Sequence, residues 1–421
     1  MTSLTPTATA GPVPPAAELD LRADFPILAR ETAGRRLVYL DSSSTSQKPQ
    51  SVLAALDDFY RQHNANIHRG VYPLALEADA LFEGARERIA AFVDAPVRST
   101  VFTSNVTAAI NLVAYAWGRT NLRQGDAVLI SEMEHHSNIV PWQLATQATG
   151  AQLRYLDVSE AGTLSLDQLD EELARGDVRL VALTHVSNVL GTINPIAAIV
   201  QRAHAAGALV LVDGAQAVPQ MPVDVGAIGA DFYAWTGHKA LGPTGIGVLH
   251  GDAALLEAMP PFLAGGDMIE SVTRQHSTWK ELPWKFEAGT SMIAEAVGLG
   301  AAVDYLGALG MERVREHERS LVAYALEQLG GIEGVGLFGP PRAEDRGGVV
   351  SFVVDGVHPH DVAELLGREN VCIRASHHCA QPLMAKLGVA ATARASFGPY
   401  NVRDDVDALV GAIVKAQKVF A

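Results

Sequence analysis

Between residues 100 and 213 the chain repeats one pattern: a short apolar run, a helical stretch, then another apolar run. The runs are TVFT at 100–103, DAVLIS at 126–131, VRLVALTH at 178–185 and ALVLVD at 208–213. Each is apolar nearly throughout, as strands covered on both faces must be. Helical stretches at 137–149 and 195–206 lie between them. Such a series folds into a mostly parallel, doubly wound α/β sheet. Upstream, Val52, Leu53, Leu56, Phe59 and Tyr60 share one helical stripe between Pro49 and Arg61.

After about residue 300 the rhythm changes. The pattern predicts a long helix at 310–329, a strand at 348–354, a helix at 360–367, a strand at 370–374 and a closing helix at 402–418. That suits a smaller α+β domain. A chain of 421 residues exceeds what one core organises, so two domains are expected. The large one spans 21–300, its first 20 or so residues packing there or on the small domain; the small one spans 301–421. Residues 1–20, rich in Pro, Ala and Thr, read as a disordered tail.

A formal net charge of -15 argues against holding nucleic acid through its phosphates. Two cysteines, Cys372 and Cys379, make no disulfide framework and are too few for a structural zinc site. A reducing cytoplasm is the expected setting, and no metal is expected. No apolar run approaches the roughly 20 residues that span a bilayer, so a soluble protein is expected.

Open α/β sheets bind ligands beyond the carboxyl ends of their strands. Four loops there carry chemistry: TSNVT at 103–107, SEMEHHSN at 131–138, VDGAQ at 212–216 and TGHK at 236–239. Lys239 closes the short strand DFYAWT and precedes the Gly-rich LGPTGIG. A lone lysine is ordinarily a surface group; in a pocket that lowers its pKa it becomes a Schiff-base amine. Thr236 and His238 stand beside it, able to bind a phosphate. Asp213, after LVLV, is by itself a cap or turn residue. In a pyridoxal-phosphate site such a carboxylate keeps the ring nitrogen protonated, with Gln216 placed to meet the ring hydroxyl. Thr107 opens a helix, whose first amides suit a phosphate or merely need a cap. His135 and His136 are either a structural pair or a ring-stacking group with its neighbour. In IRASHHCAQPLM, at 373–384, Cys379 has two imidazoles and Arg374 nearby, cations that would favour its thiolate. Cys372, in apolar VCIR, reads as a small buried hydrophobe.

In this order and spacing the chain resembles the SUF-type cysteine desulfurases, a branch of the class V aminotransferase-like, fold-type-I pyridoxal-phosphate enzymes. The likeness runs from RADFPIL at 22–28 to the C-terminus. It takes in LDSSSTSQKP, NANIHRG, NLVAYAWGR, EMEHHSNIVPWQ, THVSNVLGT, VDGAQAVP, DFYAWTGHKALGPTGIGVL, FEAGT, HHCAQPLM and RASFGPYN. It implies pyridoxal phosphate held by Lys239, with His135 over the ring, Asp213 on its nitrogen and Gln216 at its oxygen. Thr107, Thr236 and His238 would hold the phosphate, with Thr290 reaching it from the partner subunit of a homodimer. Arg394 would bind the substrate carboxylate, with Asn188 and Arg374 close by. Cys379 would take sulfur from L-cysteine, leaving L-alanine, for a sulfur-acceptor protein of the SUF system and iron–sulfur cluster assembly. Ser376 stands where the family usually has Gly, Ala108 where it often has Glu, and Ser291 where Pro usually follows FEAGT. The rival readings are a selenocysteine or cysteine-sulfinate lyase, a specialised carbon–sulfur lyase, or a non-catalytic sulfur-transfer scaffold.

Overall fold

The computed structural model describes residues 19–420, so the tail expected at 1–20 falls almost wholly outside the described residues. Seven strands form the large sheet: β1 (Thr100–Thr103), β2 (Ala127–Ser131), β3 (Gln152–Leu156), β4 (Val178–Thr184), β5 (Leu209–Asp213), β6 (Phe232–Thr236) and β7 (Gly247–Gly251). Their order is β1-β7-β6-β5-β4-β2-β3. Pairing from β3 through β2, β4 and β5 to β6 is parallel, while β7 runs antiparallel between β6 and β1.

The apolar runs are explained by what covers the sheet. Successive side chains of a strand point to opposite faces. Leu129, Val181 and Val210 enter one hydrophobic cluster, whereas Val128, Ile130, Leu180 and Leu211 enter another. Both faces are dry, so both parities must be apolar. Arg179, the exposed exception in β4, pairs with Asp126 at 2.7 Å.

Helix Ile293–Leu309 lies in the first cluster, while the helix after it, Met311–Gly330, reaches a third from Leu321 onward. The two meet at 76° around Gly310, whose φ of 83° suits a residue without a side chain. That third cluster packs on the small antiparallel sheet: β8 (Val335–Phe338), β9 (Val349–Val354), β10 (Arg374–Ser376) and β11 (Thr392–Ser396), in the order β8-β9-β11-β10. The single strand expected at 370–374 is two. Val371–Cys372 pairs in parallel with Val38–Tyr39, and the chain then switches partner to join β11 as β10. Among the described residues no single helix is long and apolar enough to cross a membrane.

Candidate active site

Four of the expected residues lie just past strand ends on one edge of the large sheet: Thr107 after β1, His135 after β2, Asn188 after β4 and Lys239 after β6. Asp213 is the last residue of β5 itself. Facing them, β11 carries Arg394 and the turn beyond β10 carries Cys379. All of these line a single cavity of about 440 Å3, together with Gln216, His238 and Arg374.

The Lys239 turn is pinned through its neighbour's backbone. The His238 carbonyl accepts from Ser46 N at 3.0 Å, Thr45 Oγ1 at 3.1 Å, Ser46 Oγ at 3.0 Å and Lys48 Nζ at 2.9 Å. Burial lowers Lys239 to about 8; Asp213 opposes this, while Arg394 and Arg374 reinforce it. A sizeable share of Nζ is therefore the neutral, nucleophilic amine near neutral pH. Asp213 is buried, and its Oδ1 accepts from Ala215 N at 3.0 Å. Burial raises its carboxyl, and the charge of Lys239 holds it back. A protonated ring nitrogen would do likewise.

His135 is lowered to about 3, chiefly by burial, so its ring is neutral. Its Nδ1 accepts from Ser137 N at 3.1 Å, and Ser137 Oγ lies 2.7 Å from Thr107 Oγ1, joining two loops. Beneath them, buried Glu134 accepts from Ser131 Oγ at 2.5 Å and from Asn138 Nδ2 at 2.8 Å. Trp142 Nε1 donates to Asn138 Oδ1 at 2.9 Å. This chain fixes the turn that presents His135.

The thiol loop is held in an unusual shape. His378 and Cys379 have φ values of 50° and 56°, a region that side-chain-bearing residues occupy only when surroundings impose it. Four hydrogen bonds impose it here. Ser376 Oγ accepts from His378 N at 2.8 Å and His377 Nδ1 from Cys379 N at 3.1 Å. Asn188 Nδ2 donates to His378 O at 2.8 Å, and His136 N to Cys379 O at 2.7 Å. The sequence suggested the neighbouring imidazoles as cations. His378 instead is buried, lowered to about 3 and thus neutral, with Nε2 at 3.0 Å from Thr392 Oγ1. Ser376, at the family's usual glycine, is one of the clamps.

Arg394 is fully buried yet still charged, burial bringing it down to about 10. It donates to Asn188 O at 2.9 Å, Ser44 Oγ at 2.8 Å and Asp41 Oδ1 at 3.1 Å. Its Nε, and Ser43 Oγ in the same wall, are buried without a partner. Arg374 donates to Ser44 Oγ at 2.8 Å.

Two expected residues fall elsewhere. Thr236 is buried and outside the lining, its hydroxyl turned to Ile246 O at 3.4 Å. Thr290 lies on a separate cavity of about 220 Å3 with Asn66, Arg69 and Asp267. Cys372 is half-buried, its thiol raised by burial and by Asp41. Sequence reasoning missed Ser43, Ser44, Ser137 and Thr244, which line the cavity, and Glu134 below it. A buried acid between Ser131 and Asn138 had no visible partner in the sequence; SSST did offer a cluster of hydroxyls.

The set fits the cofactor that the resemblance implies: an amine with a depressed pKa, a buried acid, a neutral imidazole, and an exposed rim at Ser104, Asn105 and Thr107 suited to a phosphate. The pattern of the family described as aminotransferase class-V matches residues 38–409. A probable cysteine desulfurase of Halalkalibacterium halodurans is 50% identical over 402 residues, covering 95% of this chain and 98% of that one. A cysteine desulfurase of Haloferax volcanii is 48% identical over 415 residues, covering 95% and 97%. The solved cysteine desulfurase CsdA of Escherichia coli superposes with a TM-score of 0.88 at 40% identity, covering 95% and 98%. The apo cysteine desulfurase of Thermococcus onnurineus NA1 does so with 0.90 at 37%, covering 95% and 97%.

Proposed function

The chain belongs to the class V aminotransferase family and, within it, to the cysteine desulfurases, and on that premise we propose how its residues divide the work. It is a pyridoxal-phosphate enzyme that takes sulfur from L-cysteine and leaves L-alanine. When bound, pyridoxal phosphate supplies an electron sink that makes an amino acid's Cα proton labile. Lys239 would hold it through Nζ, with Asp213, Gln216 and His135 about its ring and Thr107 and His238 at its phosphate.

Arg394 binds the substrate carboxylate and sets the Cα–H bond for transfer, an orientation effect. Lys239 Nζ, as the neutral amine, takes that proton. Cys379 Sγ attacks the substrate sulfur: an S–S bond forms, the C–S bond breaks, and its electron pair stays on Cβ, which becomes the methyl group of alanine. Cysteine plus the Cys379 thiol thus become alanine plus a Cys379 persulfide, with no outside oxidant or reductant. The observation that carries this reading is that Cys379, Lys239 and Arg394 line one cavity. Incubation with cysteine should yield equal amounts of alanine and, under a thiol reductant, sulfide. Lys239→Ala should be inactive even with pyridoxal phosphate added; undiminished alanine formation by that variant would contradict the assignment.

The same proposal extends to a homodimer, a protein acceptor for the persulfide sulfur that feeds iron–sulfur assembly, and a reducing cytoplasm, which suits two unpaired cysteines. Support for the dimer is an exposed apolar set, Val71 at 93%, Tyr60 at 59%, Leu76 at 57% and Tyr72 at 52%. Thr290 would then serve the partner's site. Mixing Lys239→Ala with Thr290→Ala protomers should restore activity in part.

A further inference from the structure

His136, the second imidazole of the 131–138 loop, has no part in the chemistry described above, yet it grips the Cys379 loop twice. Its N–H donates to Cys379 O at 2.7 Å, and its Nε2 lies 3.1 Å from Gln381 N. Gln381 opens the helix Gln381–Lys386, two residues beyond Cys379. That helix has no cap of its own: Ala380, its N-cap residue, offers no accepting side chain. His136 Nε2 therefore meets an orphan first-turn amide from another loop. The ring also packs against His377, with centroids 5.6 Å apart and planes at 38°. His377 Nδ1 in turn accepts from Cys379 N at 3.1 Å.

A backbone N–H can only donate, so each of these ring nitrogens must offer a lone pair. His136 then carries its proton on Nδ1 and His377 on Nε2, and both rings are neutral in this arrangement. A second proton on His136 would set Nε2–H against the Gln381 amide and a cation against His377. We infer that His136 is a positioning residue for the sulfur-transfer step. As a neutral acceptor it fixes the far side of the Cys379 loop, and so keeps Cys379 at the cavity it shares with Lys239 and Arg394. The step is the one given above, S–S formed and C–S broken, and His136 takes part in no bond change. The inference rests on Cys379 being the group that receives sulfur.

The surroundings favour the neutral ring. Burial and the His377 side chain lower the His136 imidazole from its ordinary value. His135, its centroid 6.4 Å away, is itself neutral. The two acids of this loop are engaged elsewhere: Glu134 by Ser131 and Asn138, Glu132 by Val158 N at 2.9 Å and by Lys386 at 3.4 Å. Lys386 belongs to the helix that His136 caps, so this ion pair is a further tie between the two segments.

The test compares the wild type with His136→Ala and with His136→Gln, which keeps a neutral acceptor. In the holoenzyme two steps are read apart. Exchange of the L-alanine Cα proton in D2O needs Lys239 but no thiol; growth of the Cys379 persulfide in a single turnover with L-cysteine, read by peptide mass, needs both. In His136→Ala the persulfide rate should fall about tenfold or more while Cα exchange falls less than about twofold, and His136→Gln should recover most of the loss. In the cofactor-free chain, Cys379 should be alkylated several-fold faster in His136→Ala than in the other two proteins. An equal fall in both steps, wild-type persulfide formation or alkylation in His136→Ala, or a glutamine variant no better than the alanine one would overturn the inference. Should His136→Ala not fold, hydrogen exchange of the wild-type chain decides: protected Cys379 and Gln381 amides uphold the latch, and freely exchanging ones refute it. Alanine formed with no persulfide on wild-type Cys379 would overturn the Cys379 reading and this inference with it, whereas failure of the latch alone leaves wild-type persulfide formation intact.

Discussion

At Cys379 the backbone is held in a left-handed turn by bonds from four different places, and the cost of each such residue is of order 1–3 kcal/mol. The clamps therefore matter more than the charge of the surrounding imidazoles. Ser376→Gly removes the acceptor of His378 N. We expect the resting enzyme's Cys379 to be alkylated several-fold faster, turnover to fall, and stability to change by about 1 kcal/mol. Alkylation followed by mass spectrometry reads this directly, and an unchanged rate would mean that the other three bonds suffice. Much of the residue chemistry was legible in sequence, because amine, acid and thiol each follow a recognisable strand or motif. The roles of Ser44, Ser137 and Glu134 were not. Each acts by bonding a loop that only the folded chain brings near, as when Ser137 Oγ meets Thr107 Oγ1.

Among the elements, β7 does more for the site than its short run GVLHG suggests. It supplies the antiparallel bridge between β6 and β1, and it brings Gly247 against the turn that opens the helix Val106–Leu112. A methyl group on Gly247 would lie 2.5 Å from Asn105 Cα, a contact with backbone that no rotamer change relieves. Gly247→Ala should therefore cost about 1–3 kcal/mol, as overpacking does, and weaken cofactor affinity by displacing the 104–107 rim. Thermal denaturation with and without added pyridoxal phosphate measures both; wild-type values would contradict this account of the rim. The parallel strands were readable since burial on two faces leaves unbroken apolar runs. The half-exposed β3 carries no unbroken apolar run, and β7 (GVLHG) is broken by two glycines and a histidine. The partner switch at 371–376 depends on strand residues 38–39 and 392–394, far away or later in the chain.

For the whole molecule, the buried histidines set the response to acid. His135, His136, His185, His238, His250 and His378 all have folded pKa values below the ordinary 6.5, mainly from burial. The unfolded chain binds those protons first, so stability is present above 6.5 and is lost as pH falls, by up to about 1.4 kcal/mol per unit for each of the well-buried rings and by much less for the more exposed His136. Glu134, Asp213 and Glu318, raised by burial, act oppositely until their unfolded values near 4 are passed. Denaturant midpoints of the cofactor-free chain should thus decline from about pH 6.5 downward, and go on declining below about 4.5, where the raised acids cease to oppose the loss and Glu83, held near 2, adds to it. A midpoint constant down to pH 4 would contradict the neutral histidines. All of this scaffolding serves one event, the passage of a sulfur atom to a side chain that the turn beyond β10 presents to the cavity at the edge of the large sheet. The most direct measurement is the mass of the Cys379 peptide after one turnover with cysteine, without reductant. The account predicts one added sulfur atom on Cys379 for each alanine formed; alanine at full yield with an unmodified Cys379 would contradict it.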